Sequence, residues 1–227
     1  MVFDPMYLVF MAPALLLAFY AQFKVKRAYA TYTRVANERG ITGLQAARMI
    51  LPGEGLSGVS VEGTPGQLTD HYDPRTKTLR LSAGVAQQPS VAALAIVAHE
   101  IGHALQDNQG YTPLKLRSAI VPAVQVSAWV APILFLIGFL FNMLSLAWLG
   151  VAFFAASAIF ALVTLPVEFN ASRRALNLLQ TYQLTDGREL QGAKAVLDAA
   201  ALTYVAALAQ TLATLLYYVT LLGRRND

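Results

Sequence analysis

Residues 118–167 contain no charged side chain, and this stretch of fifty residues constrains the fold more than any other feature. A helix crosses the hydrocarbon of a bilayer in about 20 residues, so the stretch is long enough for two crossings. Asn142 and Ser145 are polar residues near its middle, and they predict a helical hairpin that turns there. Since a hairpin returns to the side it left, Arg117 and Glu168 are expected on the same side of the membrane.

Two further apolar runs bring the number of predicted spans to about four. Residues 5–23 and residues 199–222 are each long enough to cross the bilayer as one helix. Asp4 precedes the first run and Lys24 follows it, whereas a signal peptide has its positive charges first. We therefore expect an uncleaved anchor whose amino end lies outside the cell.

Composition supports a membrane protein and excludes several kinds of site. Only 13% of the residues are charged, whereas soluble domains contain about 25%. The sequence has no cysteine, so disulfides and thiolate metal ligands are excluded. No basic patch is interleaved with aromatic residues, and we expect no nucleic-acid partner. The expected partners are the lipid bilayer and a peptide or membrane-protein substrate, and no pattern specifies an oligomeric state.

The apolar and polar stretches together predict a mainly α membrane protein with a small α+β domain at the membrane surface. The expected segments are an amino-terminal transmembrane anchor (1–23), a soluble portion (24–117), a transmembrane hairpin (118–167), a helix and its following segment (168–198), and a carboxy-terminal transmembrane helix (199–227).

The basic residues predict the orientation in the membrane. Fifteen of the 17 Lys and Arg residues lie in residues 24–117 or 168–198. Cytoplasmic loops are enriched in Lys and Arg, so both segments are expected to face the cytoplasm. Arg224 and Arg225 would then lie outside after the fourth span, which opposes the rule, and we expect them to be outweighed.

Local signals divide the soluble portion into helices and strands. Thr42 and Ser90 are typical helix caps, and an earlier helical pattern stops at Gly40. Strand-like runs occur at GVSVE and KTLRLS, with a turn around Asp73 and Pro74. A helix containing the stretch AHEIGHALQ follows.

That stretch places His99 and His103 four residues apart, with Glu100 between them. Positions i and i+4 lie on one face of a helix, so both imidazoles can reach one zinc ion at about 2.0–2.1 Å. Glu100 lies one position round the helix, where its carboxylate can take a proton from a zinc-activated water and pass it to a leaving amine. The spacing predicts one catalytic Zn²⁺ per chain.

A solvated helix face that carries these residues by chance is the alternative interpretation. Two features favour the metal site. The preceding run VAALAIVA is apolar, which indicates a buried helix. Gly102 is expected to leave room beside the metal.

A catalytic zinc site needs a third protein ligand and an open position. Glu168 is the strongest candidate, because it is the first charge after the fifty-residue stretch and returns to the side of the HEIGH helix. The alternative for Glu168 is an ordinary interfacial charge. Asp107 and Asp198 are weaker candidate ligands.

The motifs around HEIGH resemble those of a known family. DHYDPRTKTLRLS precedes HEIGH, and LPVEFNASRRAL and AAALTYVAAL follow it, as in the YugP-like membrane zinc metallopeptidases of bacteria. The resemblance covers nearly the whole chain. It implies a zincin-like endopeptidase of the bacterial inner membrane, with zinc ligands at His99, His103 and Glu168 and the catalytic carboxylate at Glu100.

This plan is similar to that of the wider group containing HtpX and the CAAX prenyl peptidases. In that group the ligand Glu is commonly followed, four residues on, by an Asp that supports a zinc histidine. The corresponding residue here is Ser172. Since ligating histidines need their second ring nitrogen held in place, Asn170 or Ser172 is the expected partner.

Oxyanion stabilisation and substrate contact have several candidates. His71, Arg173, Arg174 and Tyr204 can each donate towards developing negative charge. Their alternative roles are a solvated turn residue for His71, membrane anchors for the arginines, and packing for Tyr204. The KTLRLS strand is either plain sheet or a strand to which an extended substrate adds through main-chain hydrogen bonds.

Two other functions compete with a surface endopeptidase. An intramembrane protease of the site-2 type would place HExxH within a span and take an Asp ligand from a later span, but no such Asp occurs here. A non-catalytic membrane scaffold with a structural metal site is the second alternative. Replacement of Glu100 by Gln separates catalysis from that role.

Overall fold

The computed structural model describes residues 5–224, so Asp4 and Arg225 lie outside the described range. Seven helices and three strands follow one another along these residues: α1 (Pro5–Tyr32), α2 (Gly43–Gly53), β1 (Ser60–Thr64), β2 (His71–Asp73), β3 (Thr78–Ser82), α3 (Ala83–Gln87), α4 (Val91–Asn108), α5 (Thr112–Leu140), α6 (Leu144–Thr181) and α7 (Gly187–Gly223). The predicted fold class, mainly α with a small α+β part, is confirmed.

The chain forms two compact units. The apolar unit comprises, within the described range, residues 5–22, 115–166 and 202–224. The polar unit comprises Phe23–Leu114 and Val167–Ala201. Helices α1, α5, α6 and α7 each contribute residues to both units.

The apolar unit contains the membrane helices. Helices α1, α5, α6 and α7 are long and apolar enough to cross a bilayer, with mean hydropathy between 1.7 and 2.3 over their most apolar windows. Large apolar side chains lie on the surface of this unit, including Trp129, which is 80% exposed. Such a surface fits lipid rather than water. The protein is therefore a multi-pass membrane protein.

Two glycines allow α5 and α6 to pack closely on either side of the break at residues 141–143. A Cβ atom on Gly138 would lie 2.3 Å from the backbone N of Ala147, and one on Gly150 would lie 2.5 Å from the N of Phe135. Both distances are shorter than any real Cβ contact, so only glycine fits. In the break itself, Asn142 adopts a positive φ of 59°, a conformation that asparagine tolerates well.

The polar unit is built around α4. The apolar positions of this helix are almost fully buried, together with residues of α2, β3 and the polar part of α6. Thr42 caps α2 in a reciprocal capping box with Gln45, and the Ser90 side chain accepts a hydrogen bond from the N–H of Ala93 at the start of α4. Both predicted caps are confirmed.

The three strands pair differently from the sequence pattern. The sheet order is β1-β3-β2, with β1 parallel and β2 antiparallel to β3. The KTLRLS run is therefore the central strand, with a neighbour on each side. Of the two alternatives for this strand, plain sheet structure agrees with the pairing and addition of a substrate does not. His71, expected in a turn, begins strand β2.

Two helices are longer than the sequence pattern indicated. Helix α1, which contains the first span, continues without a break to Tyr32. The helical pattern that was expected to reach Gly40 therefore ends at Tyr32. Helix α6 runs unbroken through Glu168 to Thr181, so the helix expected to begin at residue 168 is the end of a long helix. The side chain of Glu168 is thereby fixed on a rigid element.

Candidate metal centre

Helix α4 positions the two histidines of the HEIGH motif. His99 and His103 lie one turn apart on the same face, with ring centroids 4.8 Å apart and ring planes nearly perpendicular at 87°. The neighbouring positions Ala98 and Ile101 are fully buried, so the helix cannot rotate to present another face. Both imidazoles are 13–14% exposed, which leaves them reachable from solvent.

Glu168 brings a carboxylate from α6 to the two imidazoles. Its Oε2 atom lies 3.3 Å from Nε2 of His99 and 3.6 Å from Nε2 of His103. One ligand atom of each residue lies within 4.8 Å of those of the other two. Glu168 itself is 1% exposed. A carboxylate so buried is stabilised by partners of opposite charge, such as a metal ion or protonated imidazoles.

The donor set fits zinc. Ligand atoms at about 2.0–2.2 Å from a tetrahedral ion are separated from one another by roughly 3.3–3.6 Å. The two measured nitrogen–oxygen separations, 3.3 and 3.6 Å, correspond to that geometry. Two imidazoles and one carboxylate also leave one position open, as catalytic zinc requires.

Gly102 does not have the role that the sequence suggested. A Cβ atom at this position would lie 2.7 Å from the carbonyl oxygen of Ala171. The glycine therefore makes room for the backbone of α6 rather than for the metal. Close contact between α4 and α6 at this point is what brings Glu168 within reach of the histidines.

The carboxylate of Glu100 faces strand β2. Its Oε2 atom accepts a hydrogen bond from the backbone N–H of Tyr72 at 3.0 Å. Burial raises the pKa of Glu100, and the neighbouring histidines and the Tyr72 amide only partly offset this effect. A carboxyl with a raised pKa is a stronger proton acceptor near neutral pH.

The second nitrogen of each histidine has a polar neighbour. Nδ1 of His99 lies 3.3 Å from the hydroxyl of Ser172, one of the two partners expected from the sequence. Nδ1 of His103 lies 3.0 Å from Oε1 of Gln106. The other expected partner, Asn170, contacts Gln106 rather than a histidine. Gln106 was missed because a glutamine three residues after a histidine carries no distinctive sequence signal.

The pKa of His103 reflects these neighbours. Burial disfavours the charged ring and lowers the pKa, but the carboxylates of Glu168 and Glu100 and the Gln106 side chain outweigh burial. The pKa is therefore raised. This balance reflects the negative charge concentrated in the site, which a divalent cation would neutralise.

The weaker candidate ligands are engaged elsewhere. Asp107 accepts a hydrogen bond from the hydroxyl of Tyr72 at 2.8 Å. Asp198 pairs with Lys194, and its side chain is 62% exposed. Neither belongs to the group of residues that could hold a metal among residues 5–224.

The candidate oxyanion donors lie on three different elements, with His71 on β2, Arg173 and Arg174 on α6, and Tyr204 on α7. His71 is exposed, and its Nδ1 lies 2.8 Å from the carbonyl of Thr69. Arg173 borders a shallow cleft between α6 and α7, and Arg174 donates a hydrogen bond to Asn170 at 2.7 Å. Tyr204 belongs to the apolar unit. Their roles in substrate contact stay predictions.

Comparison with known proteins identifies the family. The family described as "Putative neutral zinc metallopeptidase" matches residues 7–223. The chain belongs to this family. A relative from Bacillus subtilis (strain 168), "Putative membrane protease YugP", is 45% identical over 214 residues, which is 94% of this chain and 95% of the relative. No solved structure matches the chain significantly.

Family membership confirms the resemblance drawn from the HEIGH, DHYDP and EFNASRR motifs. It also confirms zinc as the expected metal, for which His99, His103 and Glu168 form a suitable group. The protein is thus a membrane member of a zinc metallopeptidase family.

Proposed function

We propose that the protein is a zinc endopeptidase that hydrolyses peptide bonds with Glu100 as general base. The observation that carries the proposal is the convergence of two imidazoles and one carboxylate, from His99, His103 and Glu168, beside the carboxylate of Glu100. When bound, zinc would supply a Lewis acid that lowers the pKa of a water and polarises the scissile carbonyl. His99, His103 and Glu168 would hold it.

Glu100 moves the proton in this proposal. Its carboxylate accepts a proton from the attacking water and passes it to the nitrogen of the leaving amine, so that one water is consumed and one C–N bond is broken. The Tyr72 N–H fixes the orientation of the carboxylate. Burial favours the protonated form that exists between the two transfers.

Strand β2 is the element that supports substrate binding best. It pairs with β3 on one side only, and no other strand of the described residues pairs with its outer edge. The amide of Tyr72 lies on that strand and contacts Glu100. An extended peptide that runs along β2 would therefore pass beside the general base. Because the Tyr72 N–H is donated to Glu100, the other main-chain groups of that edge would form the hydrogen bonds to the peptide.

The proposed location of the site is the cytoplasmic side of the membrane. Fifteen of the 17 Lys and Arg residues, in residues 24–117 and 168–198, support this side through the positive-inside rule. Helix α4, which carries HEIGH, is not among the four helices apolar enough to cross a membrane. An endopeptidase at the membrane surface is therefore favoured over an intramembrane protease.

The decisive experiment combines metal content with turnover. Purified protein in detergent is assayed for bound zinc and for hydrolysis of a fluorescently labelled unfolded protein, in the wild type and in Glu100→Gln. We expect about one zinc in both forms and activity that falls by about 10²–10⁴ in the variant. Glu38→Gln, at an exposed glutamate, is the matched control.

Two outcomes would contradict the proposal. A wild-type protein that cannot be loaded with zinc would exclude the peptidase. A zinc-loaded protein whose cleavage is unaffected by Glu100→Gln would exclude Glu100 as base and favour a scaffold with a structural metal.

A further inference from the structure

A chain of side-chain hydrogen bonds joins His103 to helix α6 through Gln106. Oε1 of Gln106 lies 3.0 Å from Nδ1 of His103. The Nε2 group of Gln106 donates to the carbonyl oxygen of Val167 at 2.8 Å and to Oδ1 of Asn170 at 2.9 Å. Nε of Arg174 donates to the same Oδ1 atom at 2.7 Å. Gln106 is 0% exposed, so water cannot replace these bonds.

Two members of this hydrogen-bond network have a fixed role as donor or acceptor. The backbone carbonyl of Val167 only accepts hydrogen bonds, and the guanidinium of Arg174 only donates them. Arg174 therefore requires the oxygen of the Asn170 amide on its side. The NH₂ group of Gln106 must then face Val167 and Asn170, and its oxygen must face His103.

The orientation of Gln106 decides the protonation of His103. Since the glutamine oxygen is an acceptor, Nδ1 of His103 must carry a proton. In a neutral imidazole only one nitrogen is protonated, so Nε2 keeps its lone pair. Nε2 is the atom that lies 3.6 Å from Glu168, on the side of the metal cluster.

Nδ1 of His99 contacts a different kind of partner. The hydroxyl of Ser172, 3.3 Å from Nδ1 of His99, can donate or accept and rotates freely. The two histidines therefore differ, because the partner of His103 is an amide with a fixed direction and the partner of His99 is a hydroxyl that can rotate.

We propose that Gln106 is a positioning residue that holds His103 as the Nδ1–H tautomer, with Nε2 ready to bind a metal, and that Asn170 and Arg174 lock its orientation. This inference rests on the proposed function, since it concerns the same zinc site. Partners of this type typically contribute about 10–100-fold to metal affinity.

The first test is a spectroscopic one on the zinc-loaded protein. The chain has three histidines, so labelling histidine with ¹⁵N gives three imidazole spin systems. In the wild type, the Nδ1 proton of His103 should be observed and exchange slowly with water. In Gln106→Leu this signal should be lost or shifted, whereas the ring signals of His71 should stay unchanged.

The second test is zinc affinity, measured by competition with a chromogenic chelator. We expect the dissociation constant to rise by about 10-fold or more in Gln106→Leu. Asn170→Leu should weaken binding, and Asn170→Asp should preserve it, because a carboxylate still accepts from both Gln106 and Arg174. Gln180→Leu, at an exposed glutamine of α6, is the matched control.

The outcomes separate this inference from the proposed function. A wild-type protein that binds no zinc would overturn both. A wild type that binds zinc, with Gln106→Leu showing the same affinity and the same His103 signal, would overturn the positioning role alone. If Gln106→Leu fails to fold, equal zinc affinity in Asn170→Leu and Asn170→Asp would overturn the proposal.

Discussion

The backbone N–H of Tyr72 donates a hydrogen bond to Oε2 of Glu100, with the two atoms 3.0 Å apart. The residues are 28 positions apart, and the bond joins the edge strand β2 to the HEIGH helix α4. The same tyrosine is bound to α4 a second time, through its hydroxyl and Asp107. Tyr72 therefore fixes β2 against the helix at two points.

The pH dependence of activity should follow the raised pKa of Glu100. Glu100 must be ionised to accept a proton, so activity is present above its pKa and lost as the pH falls through it. Burial raises this pKa, so we expect activity to be lost at a higher pH than for an ordinary glutamate. The measurement is kcat/KM as a function of pH.

Removal of the Tyr72 N–H should move the loss of activity at low pH to a still higher pH. Proline has no N–H, and an edge strand tolerates it where the N–H points away from the sheet. Because the Tyr72 N–H lowers the pKa of Glu100, Tyr72→Pro should raise that pKa, and activity should be lost at a higher pH than in the wild type. Tyr72→Phe keeps the amide and serves as the control. Coincident profiles for the two variants would contradict this role.

Glu168→Ala should abolish stable zinc binding. Residues that only hydrogen-bond to a metal ligand contribute up to roughly 100-fold to metal affinity. Glu168→Ala removes one of the three ligands themselves, so its zinc affinity should fall by more than that. Asp198→Ala removes an exposed carboxylate that pairs with Lys194 and should bind zinc normally. Full zinc retention in Glu168→Ala would transfer the third-ligand role to another residue.

Gly102→Ala should destabilise the protein and weaken zinc binding together. The added methyl would lie 2.7 Å from the carbonyl of Ala171, so α4 and α6 would have to separate. Overpacking of this kind costs about 1–3 kcal/mol, which exceeds the gain of about 1 kcal/mol from replacing a helical glycine. Thermal unfolding in detergent measures the effect. Gly187→Ala, which has open space in α7, should be neutral or slightly stabilising.

The orientation in the membrane can be tested by cysteine labelling, since the natural sequence has no cysteine. A membrane-impermeant maleimide applied to intact cells should label Asn142→Cys, in the turn between α5 and α6. It should label Glu62→Cys, on β1, only after the membrane is opened. The opposite pattern would reverse the proposed orientation.

Local signals predicted many of the elements that surround the site. Thr42 and Ser90 satisfy the free N–H groups at the starts of their helices, and this chemistry depends only on neighbouring residues. The length of the charge-free stretch can likewise be compared directly with the number of residues that cross the hydrocarbon of a bilayer. The membrane class and the helical content therefore followed from sequence.

Long-range pairing could not be predicted in the same way. KTLRLS has the same alternation whether it is central or at an edge, and it is central because β1 and β2 pair with its two sides. The contact of Gln106 with Val167 and Asn170 joins residues more than 60 positions apart. Such contacts depend on how closely two helices approach, which Gly102 and Ala171 determine in three dimensions.

The polar unit is discontinuous along the chain, because residues 115–166 of the apolar unit separate its two parts. His99 and His103 therefore leave the ribosome well before Glu168 does. Throughout that interval the nascent chain has two imidazoles but lacks the carboxylate that completes the group. The order of translation thus delays assembly of the candidate metal centre until Glu168 of α6 has been synthesised.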